Sequence, residues 1–131
     1  MATMIKFRAW DKVQKVMMVP RDMQTDSDGN IFYVEAMGPD GEYDEGDLDV
    51  FKLEQFTGLK DVNGNEIYEG DILENRKYRS IVKFANGKFL ADVVGTISRF
   101  DLIGETHGSK VIGNVHENPE LLEEYDDESL S

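Results

Sequence analysis

The stretch from residue 55 to residue 73, Gln-Phe-Thr-Gly-Leu-Lys-Asp-Val-Asn-Gly-Asn-Glu-Ile-Tyr-Glu-Gly-Asp-Ile-Leu, restricts the fold of this chain more than any other. Residues 61–65 gather turn formers between apolar runs: Asp and Asn side chains hydrogen-bond the nearby backbone, and Gly64 takes a positive φ at no steric cost. Glu69-Gly70-Asp71 then reverses the chain before Ile72-Leu73 opens another extended run. Three short segments joined this briefly pair as antiparallel neighbours, because a parallel pair needs a crossover of about a dozen residues or more. A mainly β protein follows.

The rest of the chain repeats that pattern. Residues 5–10 (Ile-Lys-Phe-Arg-Ala-Trp) alternate, which predicts a strand with Ile5, Phe7 and Ala9 on a buried face and Lys6, Arg8 and Trp10 on the other. Residues 13–19 form a second extended run that Pro20 closes by removing a ladder donor. Residues 31–34 read as a short strand. Residues 36–47 hold three glycines, a proline and five acids, and read as a solvated, mobile loop. Residues 48–56 fit neither spacing cleanly and are assigned as extended. Asn86-Gly87, between runs at 81–85 and 88–94, is the strongest hairpin signal in the chain. Residues 96–103 and 111–115 are further extended segments, His116 is placed at the end of the last one, and Asn118-Pro119 open a short C-terminal helical turn with Asn118 as its cap. Phe7, Phe56, Leu59, Ile67, Ile72, Val82, Phe84, Phe89 and Ile112 are the expected core. Curling into a small barrel would bury them and remove unpaired strand edges.

With 131 residues the chain suits one domain, expected over residues 1–122, with residues 123–131 as an acidic disordered tail. There is no cysteine, which excludes disulfides, thiolate metal sites and cysteine nucleophiles and suits a reducing compartment. No apolar run approaches the roughly 18 residues of a membrane span, so a soluble, cytoplasmic protein without membrane contact is expected. The formal net charge is −13 and unevenly spread. Residues 25–75 carry fifteen acids against two Lys/Arg, whereas residues 76–110 carry three against seven. An acidic average surface repels phosphate and disfavours general nucleic-acid binding, leaving a restricted form of it to the basic segment.

Three blocks in this sequence resemble the YopX protein family of bacteriophages and prophages. They are Lys6-Phe7-Arg8-Ala9-Trp10-Asp11; Phe56-Thr57-Gly58-Leu59-Lys60-Asp61 running through Asn63-Gly64 to Ile67-Tyr68-Glu69-Gly70-Asp71-Ile72; and Val111-Ile112-Gly113-Asn114 with Glu117-Asn118-Pro119-Glu120-Leu121-Leu122. The resemblance implies a mainly β protein with a small SH3-like barrel, encoded by a phage or an integrated element and working in the bacterial host cytoplasm. It implies no activity, cofactor or site.

Catalytic chemistry has little to stand on. His107 and His116 each lie near a glutamate, Glu105 and Glu117, but belong to no nucleophile or zinc motif, and the chain is expected to be no enzyme, with no cofactor and no metal. Residues 26–30 and 61–65 alternate oxygen ligands like calcium loops, yet the glycine and the bidentate glutamate such loops need fall on other residue types. Two binding surfaces remain. Asp40, Glu42, Asp44, Glu45, Asp47 and Asp49 form an acidic stretch suited to a basic host or phage protein, with charge speeding encounter. This protein-interaction or host-modulating reading ranks first. Arg76, Lys77, Tyr78, Arg79, Lys83 and Lys88 form a basic and aromatic segment suited to single-stranded nucleic acid, cations meeting phosphate and rings stacking on bases. Exposed strand edges favour homo-oligomers, and the like charge opposes them.

Overall fold

The structure, a computed structural model, describes residues 6–123, so the expected tail from residue 124 onward lies outside the described residues. Its strands are β1 (Phe7–Asp11), β2 (Val16–Thr25), β3 (Ile31–Met37), β4 (Tyr43–Asp47), β5 (Phe51–Lys60), β6 (Glu66–Tyr68), β7 (Asp71–Glu74), β8 (Arg79–Ala85), β9 (Lys88–Val93), β10 (Arg99–Asp101) and β11 (Lys110–Asn114). A 3-10 turn, Leu102–Gly104, follows β10, and a helical turn at residues 120–123 ends the described chain. All strand pairs are antiparallel. The protein is mainly β, and its backbone divides into two compact units between Gln55 and Phe56, within β5.

In the first unit the strand order is β4-β3-β2-β1-β5. Asp11 makes the β1–β2 turn: its buried carboxylate accepts the N–H groups of Val13 and Gln14, each at 2.9 Å. Ala9, Met18, Val34, Ala36 and Phe51 form the core of this unit. Three expectations change here. Trp10, assigned to the outer face of β1, is buried, and Arg8 beside it pairs with the buried Glu54 at 3.0 Å. Pro20 does not end β2; it sits opposite Ala36 at a register shift, where a missing ladder donor is tolerated. Residues 36–47 are not a mobile loop. β3 continues to Met37 and β4 returns antiparallel, with Gly41 at φ 82° in the connecting turn. An acidic strand is tolerated there because β4 is the outermost strand and alternation sends Glu45 and Asp47 toward water.

In the second unit, the distal half of β5 pairs with β6, and a five-stranded sheet runs β10-β9-β8-β7-β11. Residues 55–73 do form three strands and two turns, with Gly64 at φ 85° and Gly70 at φ 84°, but only β5 and β6 pair as expected. After the Gly70 turn β7 leaves β6 and pairs with β8 and β11 in the other sheet, because a short reversal fixes the chain's direction and not its partner. The Asn86-Gly87 hairpin also holds, both residues having positive φ (56° and 81°), as the favoured two-residue hairpin turn demands. Asp61, 6% exposed, ties distant segments together by accepting N–H groups from Asn63, Asn65 and Val111 at 2.8–2.9 Å. Ile67, Leu73, Val82 and Leu102 make the core, with Leu59, Phe89 and Val111 against it.

Phe84 departs from expectation. It shares a face with Val82 but stands one pair short of the hairpin tip, past the end of the core, and is 51% exposed while meeting Phe89 edge-on. Of residues 96–103 only Arg99–Asp101 is a strand, and His116 lies in a turn rather than on a strand. The Asn118 side chain accepts the Asn114 N–H at 3.2 Å instead of capping the helical turn. The five-stranded sheet is hydrogen-bonded in open order, with β10 and β11 as its edges, so its pairing does not close into the expected barrel.

Candidate functional site

The first unit places acidic side chains in a pattern that sequence order conceals. The register sets Glu35 directly opposite Glu45 and Asp22 directly opposite Glu35, so three carboxylates on β2, β3 and β4 form one row across the sheet. Tyr33 pairs with Asp47 on the same face. Like charges opposite one another on paired strands are destabilising. Among the described residues no Lys or Arg forms an ion pair with Asp22, Glu35, Glu45 or Asp47.

The Tyr33 hydroxyl donates to Glu45 Oε1 at 2.7 Å. That bond raises the phenol's pKa above its ordinary 10.0, with burial and then the charges of Glu45, Asp47 and Glu35 adding to the shift. The ring thus senses the negative field of the row. Asp44, alternating to the other face, accepts from the Gln14 amide. With Asp40 and Glu42 it rims a groove of about 360 Å3 whose apolar lining includes Val16 and Met18. Asp47 and Asp49 close the turn after β4, the Asp47 carboxylate accepting the Asp49 N–H at 2.9 Å. The six acids read from sequence therefore split between two faces and two turns. Asp22 and Glu35, missed in sequence, complete the outer row; alternation in residues 31–37 could have signalled Glu35, but only the register puts it beside Glu45.

Removing one charge from this row should relieve repulsion. Glu35→Gln is expected to raise stability by about 0.2–1 kcal/mol at low salt, the range for cross-strand pairs, and Glu45→Gln should bring the Tyr33 phenol back toward 10.0. Thermal melts and an ultraviolet titration of Tyr33 read both. A Glu35→Gln protein no more stable than its parent, with an unmoved Tyr33, would mean the row carries no electrostatic strain.

The basic segment is spread out and largely neutralised from within. Arg76 and Lys77 are exposed in the β7–β8 turn. Arg79 pairs with Glu74 at 2.9 Å and donates to the Leu121 carbonyl at 2.6 Å. Lys83 and Arg99 share Asp92, at 3.3 and 2.6 Å, and Lys88 meets Asp101 at 2.8 Å. Tyr78 stacks on Phe100 with centroids 5.9 Å apart and donates to Glu105 at 2.6 Å. Lys88 lies opposite Ala85, six residues along β8 from Arg79, a separation of about 20 Å at ~3.3 Å per residue. Among the described residues no three His, Asp or Glu side chains converge to hold a metal ion, and no helix is long and apolar enough to cross a membrane.

Comparison with known proteins adds two findings. A family model described as YopX protein matches residues 6–123. A solved structure, that of protein EF1440 from Enterococcus faecalis, is similar at a TM-score of 0.64 and 29% identity, covering 92% of this chain and 99% of that one. A comparison with curated proteins finds no match.

Proposed function

This chain belongs to the YopX protein family, and from that premise we propose that it is a non-catalytic protein-interaction module whose first unit docks a basic partner protein. One observation carries this reading: the Asp22–Glu35–Glu45 row, like charges set opposite one another without a neutralising cation among the described residues. A folding-only role gains nothing from such a row, whereas a cationic partner would be steered and held by it. A phage or prophage origin, a host-modulating role and a setting in the bacterial cytoplasm belong to the same proposal. So does an SH3-like second unit, supported by its five short antiparallel strands around one apolar cluster.

A second reading, binding of single-stranded nucleic acid by the second unit, is favoured by the exposed Arg76 and Lys77 in the β7–β8 turn, next to Tyr78 and its stack on the half-exposed Phe100. One capture experiment separates the two. The full chain, immobilised, is exposed to lysate of cells carrying the element, with and without nuclease, alongside a Glu35→Gln/Glu45→Gln/Asp47→Asn variant and an Arg76→Ala/Lys77→Ala variant. The expected result is a basic protein retained after nuclease treatment and lost about tenfold by the acid-neutralised variant, equivalent to ~1.4 kcal/mol. Capture that vanishes with nuclease, or that only the Arg76/Lys77 variant loses, would replace this reading with the nucleic-acid one.

A further inference from the structure

The outer edge of β4 has an unfilled hydrogen-bonding row. Gly38 N–H donates to the Glu42 carbonyl at 2.8 Å, and the β3–β4 register continues from that pair without a shift. In an antiparallel ladder, bonded and non-bonded pairs alternate. Glu42, Asp44 and Gly46 therefore turn their backbone groups toward β3, whereas Tyr43, Glu45 and Asp47 turn theirs away. The Asp47 carbonyl is taken by Val50 N–H at 3.1 Å. Both backbone groups of Tyr43 and of Glu45, and the N–H of Asp47, are left at the edge, and no described strand pairs there. The same alternation makes Glu35 and Glu45 a non-bonded pair, whose Cα atoms are about 4.5 Å apart, the closer of the two spacings.

We propose that this edge is completed by strand addition: an extended segment of the partner protein, with Lys or Arg at alternate positions, pairs through its main chain with Tyr43 and Glu45. The inference rests on the basic-partner reading and specifies how that partner is held. Backbone pairing supplies affinity in this mode and side-chain pockets supply selectivity. Charge identifies the occupant. A second copy of β4 would set its own acids against Glu45 and Asp47 and be repelled, while a cationic strand places Lys or Arg beside them. On the opposite face, the groove rimmed by Asp40, Glu42 and Asp44 admits a lysine or arginine stem along Val16 and Met18, leaving the charged head at the carboxylates. Shortness and charge are also how edges avoid unwanted pairing; here the same charges exclude anionic strands and admit cationic ones.

The test uses the full chain and a blocked eight-residue peptide alternating lysine and threonine, together with two versions N-methylated at all lysines or at all threonines. Methylation removes the backbone donor and keeps the charge. The expected result is binding by the parent peptide, slowed amide exchange at Tyr43 and Glu45, and at least a tenfold loss on methylating one alternate set but not the other. Equal binding by all three peptides, unprotected Tyr43 and Glu45 amides in the complex, or no binding by the parent would overturn strand addition. Titrating the Glu35→Gln/Glu45→Gln protein keeps the two readings apart: weakened binding with unprotected amides removes strand addition alone, and undiminished binding removes the basic-partner reading too.

Discussion

Asp61→Ala is expected to cost the second unit about 2–4 kcal/mol, from the loss of charge-assisted hydrogen bonds and the stranding of a partly buried donor. Oδ1 accepts the N–H groups of Asn63 and Asn65 and shapes the β5–β6 turn, while Oδ2 accepts from the Asn65 amide at 3.3 Å and from Val111 N–H at 2.8 Å, fifty residues away. The Val111 bond brings β11 to the turn, so its loss is felt beyond the hairpin. Against a domain stability of roughly 5–15 kcal/mol, this is a large fraction.

Asp61→Asn sharpens the test, because the amide keeps the shape and turns an NH2 toward a donor at one of the two oxygen positions. The carboxyl also brings a pH signature. Burial pushes its pKa up, but the bonds from Val111, Asn65 and Asn63 together outweigh burial and leave it below the ordinary 3.8. A depressed folded pKa contributes stability that is fully present above the unfolded value of about 3.9 and is lost as pH falls through the lower folded value. Urea unfolding should therefore separate parent from Asp61→Asn widely at pH 7, and the gap should narrow as the solution is acidified below about pH 4. Exchange of the Val111 amide should quicken in the variant. Matching unfolding curves at pH 7 with unchanged Val111 exchange would show that the carboxylate clamps nothing.

Gly113→Ala is the second large effect, expected at about 1–3 kcal/mol, the usual range for forcing a group into filled space. A β-carbon at 113 would lie 2.4 Å from Asn118 Oδ1, 2.7 Å from its Cγ and 2.9 Å from its Cβ. Rotating the Asn118 side chain clears the first two and leaves the third, so the backbone must move. That movement strips the Asn114 N–H of its Asn118 acceptor and pulls on residues 119–123, where Arg79 holds the Leu121 carbonyl. Gly113→Ala should lower the melting temperature in the parent and cost much less in an Asn118→Gly background, where all three contacts are absent. Equal costs in both backgrounds would rule out steric conflict with Asn118 as the cause.

The first of these sites joins the middle and last blocks of the YopX-like pattern, and the second joins the two parts of the last block. Asp61 and Val111, and likewise Gly113 and Asn118, are contact partners. The blocks were legible as motifs, but nothing in them announces that one carboxylate spans fifty positions. The turns were legible because their chemistry is local: Gly64, Asn86 and Gly87 need only their own φ values. Phe84 lies outside the core although it shares a face with Val82, because alternation tells which side of a strand a residue takes, not where along the strand the core ends. In residues 36–47 glycine and acid content mimic a loop, and β4 is a strand owing to its pairing with β3, not to its own propensity.

The sequence by itself determined that the chain is mainly β, where it turns, and that it belongs with the YopX proteins. These properties depend on short-range stereochemistry and on strings of neighbouring residues, both of which a linear reading contains. Only the tertiary structure decided that Asp22 and Glu35 join Glu45 in one carboxylate row, that Lys83, Lys88 and Arg79 spend their charges on Asp92, Asp101 and Glu74, and that the edge of β4 stands unfilled. Cross-strand register is the physical reason. A shift of a single residue would send every one of these side chains to the opposite face, and register is set by the summed pairing and packing of whole strands.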